Sequence, residues 1–180
     1  VIWADDEWSA KAIGHAQLRN LRVLTVGEKA DPSGSSIRLL ARSPGQLGQL
    51  LEVGFAGAQR KINLPLIGAY QAANALVAAG LVLATGGDPA QVFDALGRLQ
   101  PVRGRLERAA ISRAGAPVYV DYAHTPDALE GAIAALRPHC KGRLIVVFGA
   151  GGDRDQGKRP EMGRIAAAQA DLAIVTDDNP

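Results

Sequence analysis

Hydrophobic positions recur with two different periods along the chain, and the period changes near residue 69. Before this point, short runs of β-branched and alternating apolar residues are separated by polar loops, which is typical of strands in an antiparallel sheet. The predicted strands are 22–27, 37–44, 49–57 and 59–68. After it, residues 69–87 are rich in alanine, apolar on nearly every side and end in two glycines, which predicts a buried helix.

The pattern of residues 88–105 predicts a second helix, followed by a break in the helical pattern. Asp88 can cap a helix that begins at Pro89, because an aspartate side chain accepts a backbone N–H and proline suits the first turn. Residues 100–105, with the sequence QPVRGR, contain a proline and a glycine and end the helical pattern. We therefore expect a domain boundary there, with a first domain over 1–103 and a second over 104–180.

Strands and helices alternate beyond this boundary. The predicted strands are 117–122, 143–152 and 171–176, and the helices between them begin near Thr125 and near Pro160. This order implies right-handed crossovers and therefore a parallel sheet. The sequence predicts an α/β protein, in which mixed β structure with helices is followed by a Rossmann-like parallel sheet.

Composition narrows the class of protein. The 180 residues are 47% hydrophobic and 21% charged with a net charge of +2, as in ordinary soluble domains, and no basic run indicates a nucleic-acid partner. The single cysteine, Cys140, excludes an internal disulfide and a cysteine-based zinc site, and it fits a reducing cytoplasm. No stretch is apolar enough to predict a membrane span. The acidic residues at 5–7 are unlike a signal peptide, and the missing initial methionine suggests a piece of a longer protein.

Polar residues follow three of the predicted strands in the second domain. They lie at 121–124, 149–154 and 176–179. Ligands of open parallel sheets bind outside the carboxyl ends of the strands, so three clusters in these positions predict one shared site. Each cluster taken alone also has a structural interpretation, as a turn or a helix cap.

The glycine-rich cluster allows two interpretations. Gly149 and Gly151 supply the G-x-G of a dinucleotide fingerprint, but Arg154 stands where the third glycine is required, which disfavours a nucleotide-dependent oxidoreductase. The glycines instead predict a tight turn that exposes Arg154, whose guanidinium can bind a carboxylate through two hydrogen bonds. The alternative is a surface arginine paired with Asp153 or Asp155.

Three further residues have both a structural and a ligand-binding interpretation. Asn74 lies within the apolar helix, where a buried amide needs partners; it either bonds a neighbouring backbone group or contacts a base at a domain junction. Arg105 is either a solvated charge or a phosphate ligand. His124 suits a turn or a helix terminus, although Asp121 nearby makes a polar ligand pair credible.

Six stretches together resemble the Mur ligase family. Those after residue 100 are long and specific, and they are DYAHTPDALE, VFGAGGDRDQGKRPEMG and VTDDNP. The others are VIWADDEW, similar to a late segment of the family's central domain, YQAANALVAAG, similar to its asparagine-containing helix, and GRLE, similar to its interdomain arginine. The resemblance implies that 1–103 are the end of the central ATP-binding domain. It implies that 104–180 are the first part of the carboxyl-terminal domain, which is incomplete here.

The resemblance implies an ATP- and Mg²⁺-dependent amide ligase of peptidoglycan precursor synthesis in the cytoplasm. Such a ligase phosphorylates the carboxylate of a UDP-linked muramoyl dipeptide, and the amine of the incoming amino acid attacks the acyl phosphate. The motifs are most similar to those of the member that adds the third stem amino acid. We expect meso-diaminopimelate rather than L-lysine, and a monomer at full length with no nucleic-acid or membrane partner.

The resemblance also implies roles for individual residues. Asn74 would face the adenine, while Arg105, Asp121 and His124 would lie near the ribose and phosphates. The incoming amino acid would be received by Arg154, Asp178, Asn179 and Pro180. We expect no metal ligand in this chain and no activity from the chain alone, because the family's phosphate loop and its carbamylated lysine are not in this sequence.

Two other interpretations stay open from the sequence. One is another member of the wider superfamily, such as a D-Ala-D-Ala-adding ligase or folylpolyglutamate synthase, which the GGDRD and DDNP motifs disfavour. The other is a non-catalytic nucleotide-binding module, which the missing phosphate loop favours if the chain is complete in the cell.

Overall fold

The computed structural model describes residues 1–31, 36–151 and 155–177. The chain divides into two compact units, residues 1–100 and residues 101–180, and each has its own hydrophobic core. Within the described ranges, no helix is long and apolar enough to cross a membrane.

The first unit combines a mixed sheet with three helices among its described residues. Its elements are β1 (Ile2–Trp3), α1 (Ser9–Leu18), β2 (Thr25–Gly27), β3 (Ile37–Gly45), β4 (Gly48–Phe55), β5 (Ala58–Leu64), α2 (Ala69–Ala84) and α3 (Pro89–Leu96). The strands lie in the order β1-β2-β3-β4-β5. The expected antiparallel pairing is confirmed for β3, β4 and β5, whereas β2 lies parallel to both β1 and β3.

The core of the first unit follows from alternation in the long strands. Buried residues alternate along β4, at the start of β3 and at the end of β5, and the buried set packs with residues of α2 and α3. The largest contributors are Ile37, Leu51, Val53, Leu64, Leu76 and Phe93. Burying each such side chain stabilises the fold by about 1.5–3 kcal/mol, so this cluster is the main source of stability of the unit.

Helix α2 buries only one face, which corrects the expectation of a helix buried on nearly every side. Leu76 is fully buried, but Leu81 is 54% exposed and Asn74 is exposed as well. The sequence pattern was misleading here because alanine, which dominates the helix, is compatible with both core and surface. The Asn74 amide therefore has no need of a buried partner.

Gly80 sets how closely α2 approaches the sheet. A Cβ at this position would lie 2.9–3.1 Å from side-chain atoms of Val1, Leu24 and Val26. Glycine in mid-helix normally costs about 1 kcal/mol relative to alanine, and here it allows close packing against β2 and the residues just before β1 and β2.

The second unit contains a hairpin and a parallel pair of strands. Its elements are β6 (Glu107–Ile111), β7 (Pro117–Val120), α4 (Pro126–Leu136), a 3₁₀ turn (Arg137–His139), β8 (Ile145–Phe148), α5 (Lys158–Gln169) and β9 (Leu172–Val175). The expected parallel pairing is present between β8 and β9. Strand β7 instead pairs antiparallel with β6, and among the described residues it is not hydrogen-bonded to β8.

Helices α4 and α5 pack together on one face of the β8–β9 pair. The buried residues of this core are Leu129, Ile133, Leu144, Met162, Ile165 and Ala166, with Val146 and Phe148 beside them. The intervening positions of β8, Ile145 and Val147, are exposed. The alternation of β8 thus separates a helix-covered face from an open one.

A carboxylate ties the start of β8 to the turn between α5 and β9. Asp171 Oδ2 accepts the Leu144 N–H at 2.7 Å and a guanidinium N–H of Arg137 at 2.8 Å. Arg137 also donates to the carbonyl of Gln169 at 2.6 Å. Asp171 thereby joins its own turn to two segments that precede it by 34 and 27 residues.

Candidate functional site

The joint between β7 and α4 contains the acid, the phenol and the imidazole that the sequence singled out. Asp121 is half-buried directly after β7, and its Oδ2 accepts the Leu106 N–H at 2.8 Å. Oδ1 of the same carboxylate has no hydrogen-bond partner among the described residues. Asp121 is thus anchored through one oxygen and can accept a ligand hydroxyl or N–H through the other.

His124 and Tyr122 are both exposed and lie against each other. Their ring centroids are 5.0 Å apart with an angle of 58° between the planes. The His124 Nδ1 lies 2.9 Å from the Tyr122 carbonyl oxygen. A carbonyl oxygen only accepts, so Nδ1 is the donor in this contact, and Nε2 is the ring nitrogen left for a ligand.

The sequence of α4 explains why this joint is exposed. Thr125 has extended backbone and its Oγ1 accepts the Ala128 N–H at 3.3 Å, as a helix cap does. Pro126 occupies the first turn, where its missing N–H costs no hydrogen bond. The cap fixes the point at which the helix begins and leaves His124 just outside it.

Arg105 lies beside this joint, in the segment that precedes β6. Its side chain is exposed, and its backbone N–H donates to the Val102 carbonyl at 3.0 Å. The neighbouring Gly104 accepts the Tyr122 N–H at 2.8 Å, and its own N–H donates to Glu107 Oε2 at 3.0 Å. Arg105 and Asp121, 16 residues apart in sequence, are thereby brought to the same end of the β6–β7 hairpin.

The phenol of Tyr119 has a perturbed pKa at the same hairpin. Burial raises the pKa of its hydroxyl, and the positive charge of Arg108, its cross-strand partner, opposes this shift. The phenol is therefore neutral at physiological pH and can act as a hydrogen-bond donor or acceptor rather than as an anion.

The described residues that follow β8 and β9, 149–151 and 176–177, lie at one edge of the parallel pair, as expected for parallel strands. Thr176 donates its N–H to the Phe148 carbonyl at 3.0 Å, which joins the two carboxyl ends. The residues predicted to bind an amino acid, Arg154, Asp178, Asn179 and Pro180, lie outside the described residues.

Asn74 belongs to the first unit, on the exposed side of α2.

The start of helix α2 is held by a buried residue that the sequence did not single out. Gln49 is 4% exposed, and its Nε2 donates to the carbonyls of Leu66 and Gly68, each at 2.9 Å. Arg42 donates to Gln49 Oε1 at 3.2 Å. A glutamine at an inward position of a strand was the available signal.

Glu107 is a second residue that the sequence did not single out. It belongs to the GRLE stretch, yet only the folded backbone shows that its carboxylate returns to Gly104. Arg105, Asp121 and His124 thus bring a guanidinium, a carboxylate anchored through one oxygen and an imidazole to this part of the second unit. Such groups suit phosphate oxygens and sugar hydroxyls.

Comparison with known proteins gives a consistent assignment along the chain. Residues 1–82 match the family described as the Mur ligase middle domain, and residues 104–180 match that described as the Mur ligase, glutamate ligase domain. The whole chain is 62% identical to a UDP-N-acetylmuramoyl-L-alanyl-D-glutamate–2,6-diaminopimelate ligase of Zymomonas mobilis. It is 54% identical to the ligase of the same name from Bradyrhizobium diazoefficiens. The chain spans 36% and 37% of these two relatives.

A solved structure of a ligase with the same name superposes on 98% of this chain with a TM-score of 0.73 and 29% sequence identity, and the match spans 36% of that chain. The fold expected from the sequence, mixed β structure followed by parallel-sheet elements, is therefore that of Mur ligase domains. Two matched domains in the expected order, together with close relatives along the whole length, show that the chain belongs to the Mur ligase family.

Proposed function

We propose that the protein containing this chain is the ATP-dependent ligase that adds meso-diaminopimelate to UDP-N-acetylmuramoyl-L-alanyl-D-glutamate in peptidoglycan precursor synthesis. The observation that carries the proposal is 62% identity, over all 180 residues, to a relative with this ligase name. The activity belongs to the longer protein, since this chain corresponds to about a third of its relatives. In this proposal, 1–103 are the end of the central ATP-binding domain and 104–180 begin the carboxyl-terminal domain.

The reaction activates a carboxylate and then forms an amide. The terminal carboxylate of the UDP-linked dipeptide takes the γ-phosphoryl group of ATP to give an acyl phosphate. The amine of the incoming amino acid attacks the acyl carbon, and phosphate leaves. Both steps build negative charge on phosphoryl or carbonyl oxygens, so positioned cations and hydrogen-bond donors lower the barriers.

Within this chain, we assign ATP contacts to four residues. Arg105 supplies a guanidinium suited to phosphate oxygens, and Asp121 offers Oδ1 to a ribose hydroxyl while Oδ2 holds the Leu106 N–H. His124 presents Nε2, and the exposed amide of Asn74 is suited to a base edge. These assignments are supported by exposure and hydrogen-bond capacity in the described residues.

Magnesium would balance the phosphate charge in such a reaction. Among the described residues, no group of three or more His, Cys, Asp or Glu side chains could hold a metal ion. The expectation that this chain supplies no magnesium ligand belongs to the same proposal, and its support is that the family's phosphate loop and carbamylated lysine are not in this sequence.

The incoming amino acid is assigned to Arg154, Asp178, Asn179 and Pro180, on the basis of motif similarity. A guanidinium suits the carboxylate of a zwitterionic amino acid, and carboxylate or amide oxygens suit its ammonium group. Cytoplasmic location and a monomeric state belong to the same proposal.

The test is an assay of the full-length protein for ADP release and amide product. We expect turnover that requires ATP, the UDP-linked dipeptide and meso-diaminopimelate together, and no ATP hydrolysis by residues 1–180 alone.

In Arg105→Ala and Asp121→Ala, loss of a charged or polar contact should cost about 1–3 kcal/mol in kcat/KM for ATP. Tight ATP binding without amide formation would favour a non-catalytic module, and equal use of L-lysine would overturn the choice of amino acid.

A further inference from the structure

Two of the three residues at Gly104–Leu106 have a left-handed backbone. Gly104 has φ 66° and Leu106 has φ 45°. Glycine adopts this region freely, but leucine rarely does so, and it stays there only where the surrounding structure holds it. Such a conformation directly beside Arg105 calls for a physical cause.

Hydrogen bonds and packing on both sides of Arg105 supply that cause. On one side, the Leu106 side chain is buried and its N–H donates to Asp121 Oδ2 at 2.8 Å. On the other, the Gly104 N–H donates to Glu107 Oε2 at 3.0 Å. The Gly104 carbonyl is also occupied, because it accepts the N–H of the residue after Asp121 at 2.8 Å.

We propose that Glu107 is a positioning residue for Arg105, and that Asp121, in addition to the ribose contact assigned to its Oδ1, holds the other side of Arg105 through Oδ2. Each carboxylate holds the N–H of one neighbour of Arg105, so the pair fixes the backbone before and after it. The direction of the Arg105 side chain follows from that backbone. The inference rests on the proposed function in one respect, namely that the Arg105 guanidinium contacts ATP.

Both carboxylates act by ordering the Arg105 segment before ATP binds, which lowers the entropy that binding would otherwise cost. A charge-assisted bond from a backbone N–H to a carboxylate is stronger than a neutral one. An arginine on a loose, glycine-containing segment would lose backbone freedom when it binds phosphate, and a segment that is already ordered avoids much of this cost. Loss of either carboxylate should therefore weaken ATP binding through Arg105, although Glu107 itself contacts no ligand in this proposal.

The experiment is a double-mutant cycle in the full-length ligase, with KM for ATP and kcat measured at saturating second and third substrates. We expect Glu107→Ala to raise KM for ATP about three- to tenfold with a smaller change in kcat, by loss of preorganisation. Glu107→Gln should raise KM for ATP less than Glu107→Ala does, because its amide oxygen can accept the same N–H without the charge. In the Arg105→Ala background, Glu107→Ala should add less than about a twofold change if it acts through Arg105.

A pair of glycine variants gives an independent perturbation and a matched control. Alanine at Gly104 would strain the left-handed backbone without a clash, since its Cβ would lie 3.8 Å from Tyr122 Cβ. Gly115, with φ 82° and open space around it, lies in the turn of the same hairpin. Gly104→Ala should raise KM for ATP, whereas Gly115→Ala should lower only the thermal midpoint.

The outcomes separate the two proposals. Unchanged KM for ATP in Arg105→Ala overturns the ATP contact, and with it the basis of the positioning role. If Arg105→Ala raises KM, an unchanged KM in Glu107→Ala, or an equal increase from Glu107→Ala in both backgrounds, overturns the positioning role of Glu107 alone.

Discussion

Arg137 and Asp171 form an ion pair of 2.8 Å across the end of the second unit, and the same carboxylate oxygen accepts the Leu144 N–H. The backbone hydrogen bond from Leu144 is the main cause that lowers the pKa of Asp171, and Arg137 adds to it. One exposed carboxylate thus connects the 3₁₀ turn, the start of β8 and the turn before β9.

This relationship predicts a pH dependence of stability. Because the pKa of Asp171 is lower in the folded than in the unfolded state, its contribution is complete above the unfolded value of about 3.9 and is lost as pH falls through the folded value. We expect Asp171→Asn to flatten the decline of unfolding free energy below about pH 4, measured by urea denaturation at several pH values. Parallel pH curves for variant and wild type would refute this role.

Gln49 should be a strong determinant of the stability of the first unit. Gln49→Met keeps the size but removes both donors to the Leu66 and Gly68 carbonyls, which should cost about 1–3 kcal/mol. Gln49→Glu should be worse, because it places a negative charge against two carbonyl oxygens. The matched control is Gln59→Met, at an exposed position of β5, where we expect a change in unfolding free energy within about 0.5 kcal/mol. Equal midpoints in urea for Gln49→Met and Gln59→Met would contradict the prediction.

Two helical glycines should respond to alanine with opposite signs. In an open helix, glycine to alanine stabilises by about 1 kcal/mol, and Gly131 on α4 has no atom within 4 Å of the added Cβ. At Gly80 the added Cβ would meet the side chains of Leu24 and Val26 at 3.1 Å. Overpacking typically costs about 1–3 kcal/mol, so Gly80→Ala should be net destabilising. Thermal midpoints give the sign, and a rise for Gly80→Ala would show that these side chains move aside.

Arg154 should control the choice of amino acid in the full-length enzyme. meso-Diaminopimelate has one carboxylate more than L-lysine at the far end of its side chain. A desolvated arginine–carboxylate bond contributes about 1.5–3 kcal/mol, which corresponds to a roughly tenfold to hundredfold preference. We expect Arg154→Ala to lose most of the preference for meso-diaminopimelate over L-lysine, measured as the ratio of the two kcat/KM values.

The control for Arg154 is Arg164→Ala, on the exposed side of α5, where the arginine pairs only with Glu161 among the residues described. It should leave the selectivity ratio unchanged. Unaltered selectivity in Arg154→Ala, or an equal loss in Arg164→Ala, would exclude the proposed contact.

Locally determined features were predictable from the sequence. Asp88 accepts the Gln91 N–H at 2.9 Å, and Thr125 caps α4, because a cap depends on residues three positions apart. The long strands β3–β5 follow from alternation that one buried face imposes. The family motifs lie in uninterrupted stretches, so the resemblance to Mur ligases could be read without coordinates.

Other features were decided only by the tertiary structure, because they depend on residues that are distant in sequence. Asn74 is exposed because α2 turns its other side to the sheet, and β7 pairs with β6 because the hairpin turn brings them together. The residue types at 121 and 106 give no sign that one holds the other. Their hydrogen bond spans 15 residues, and only the folded backbone sets which N–H a carboxylate can reach.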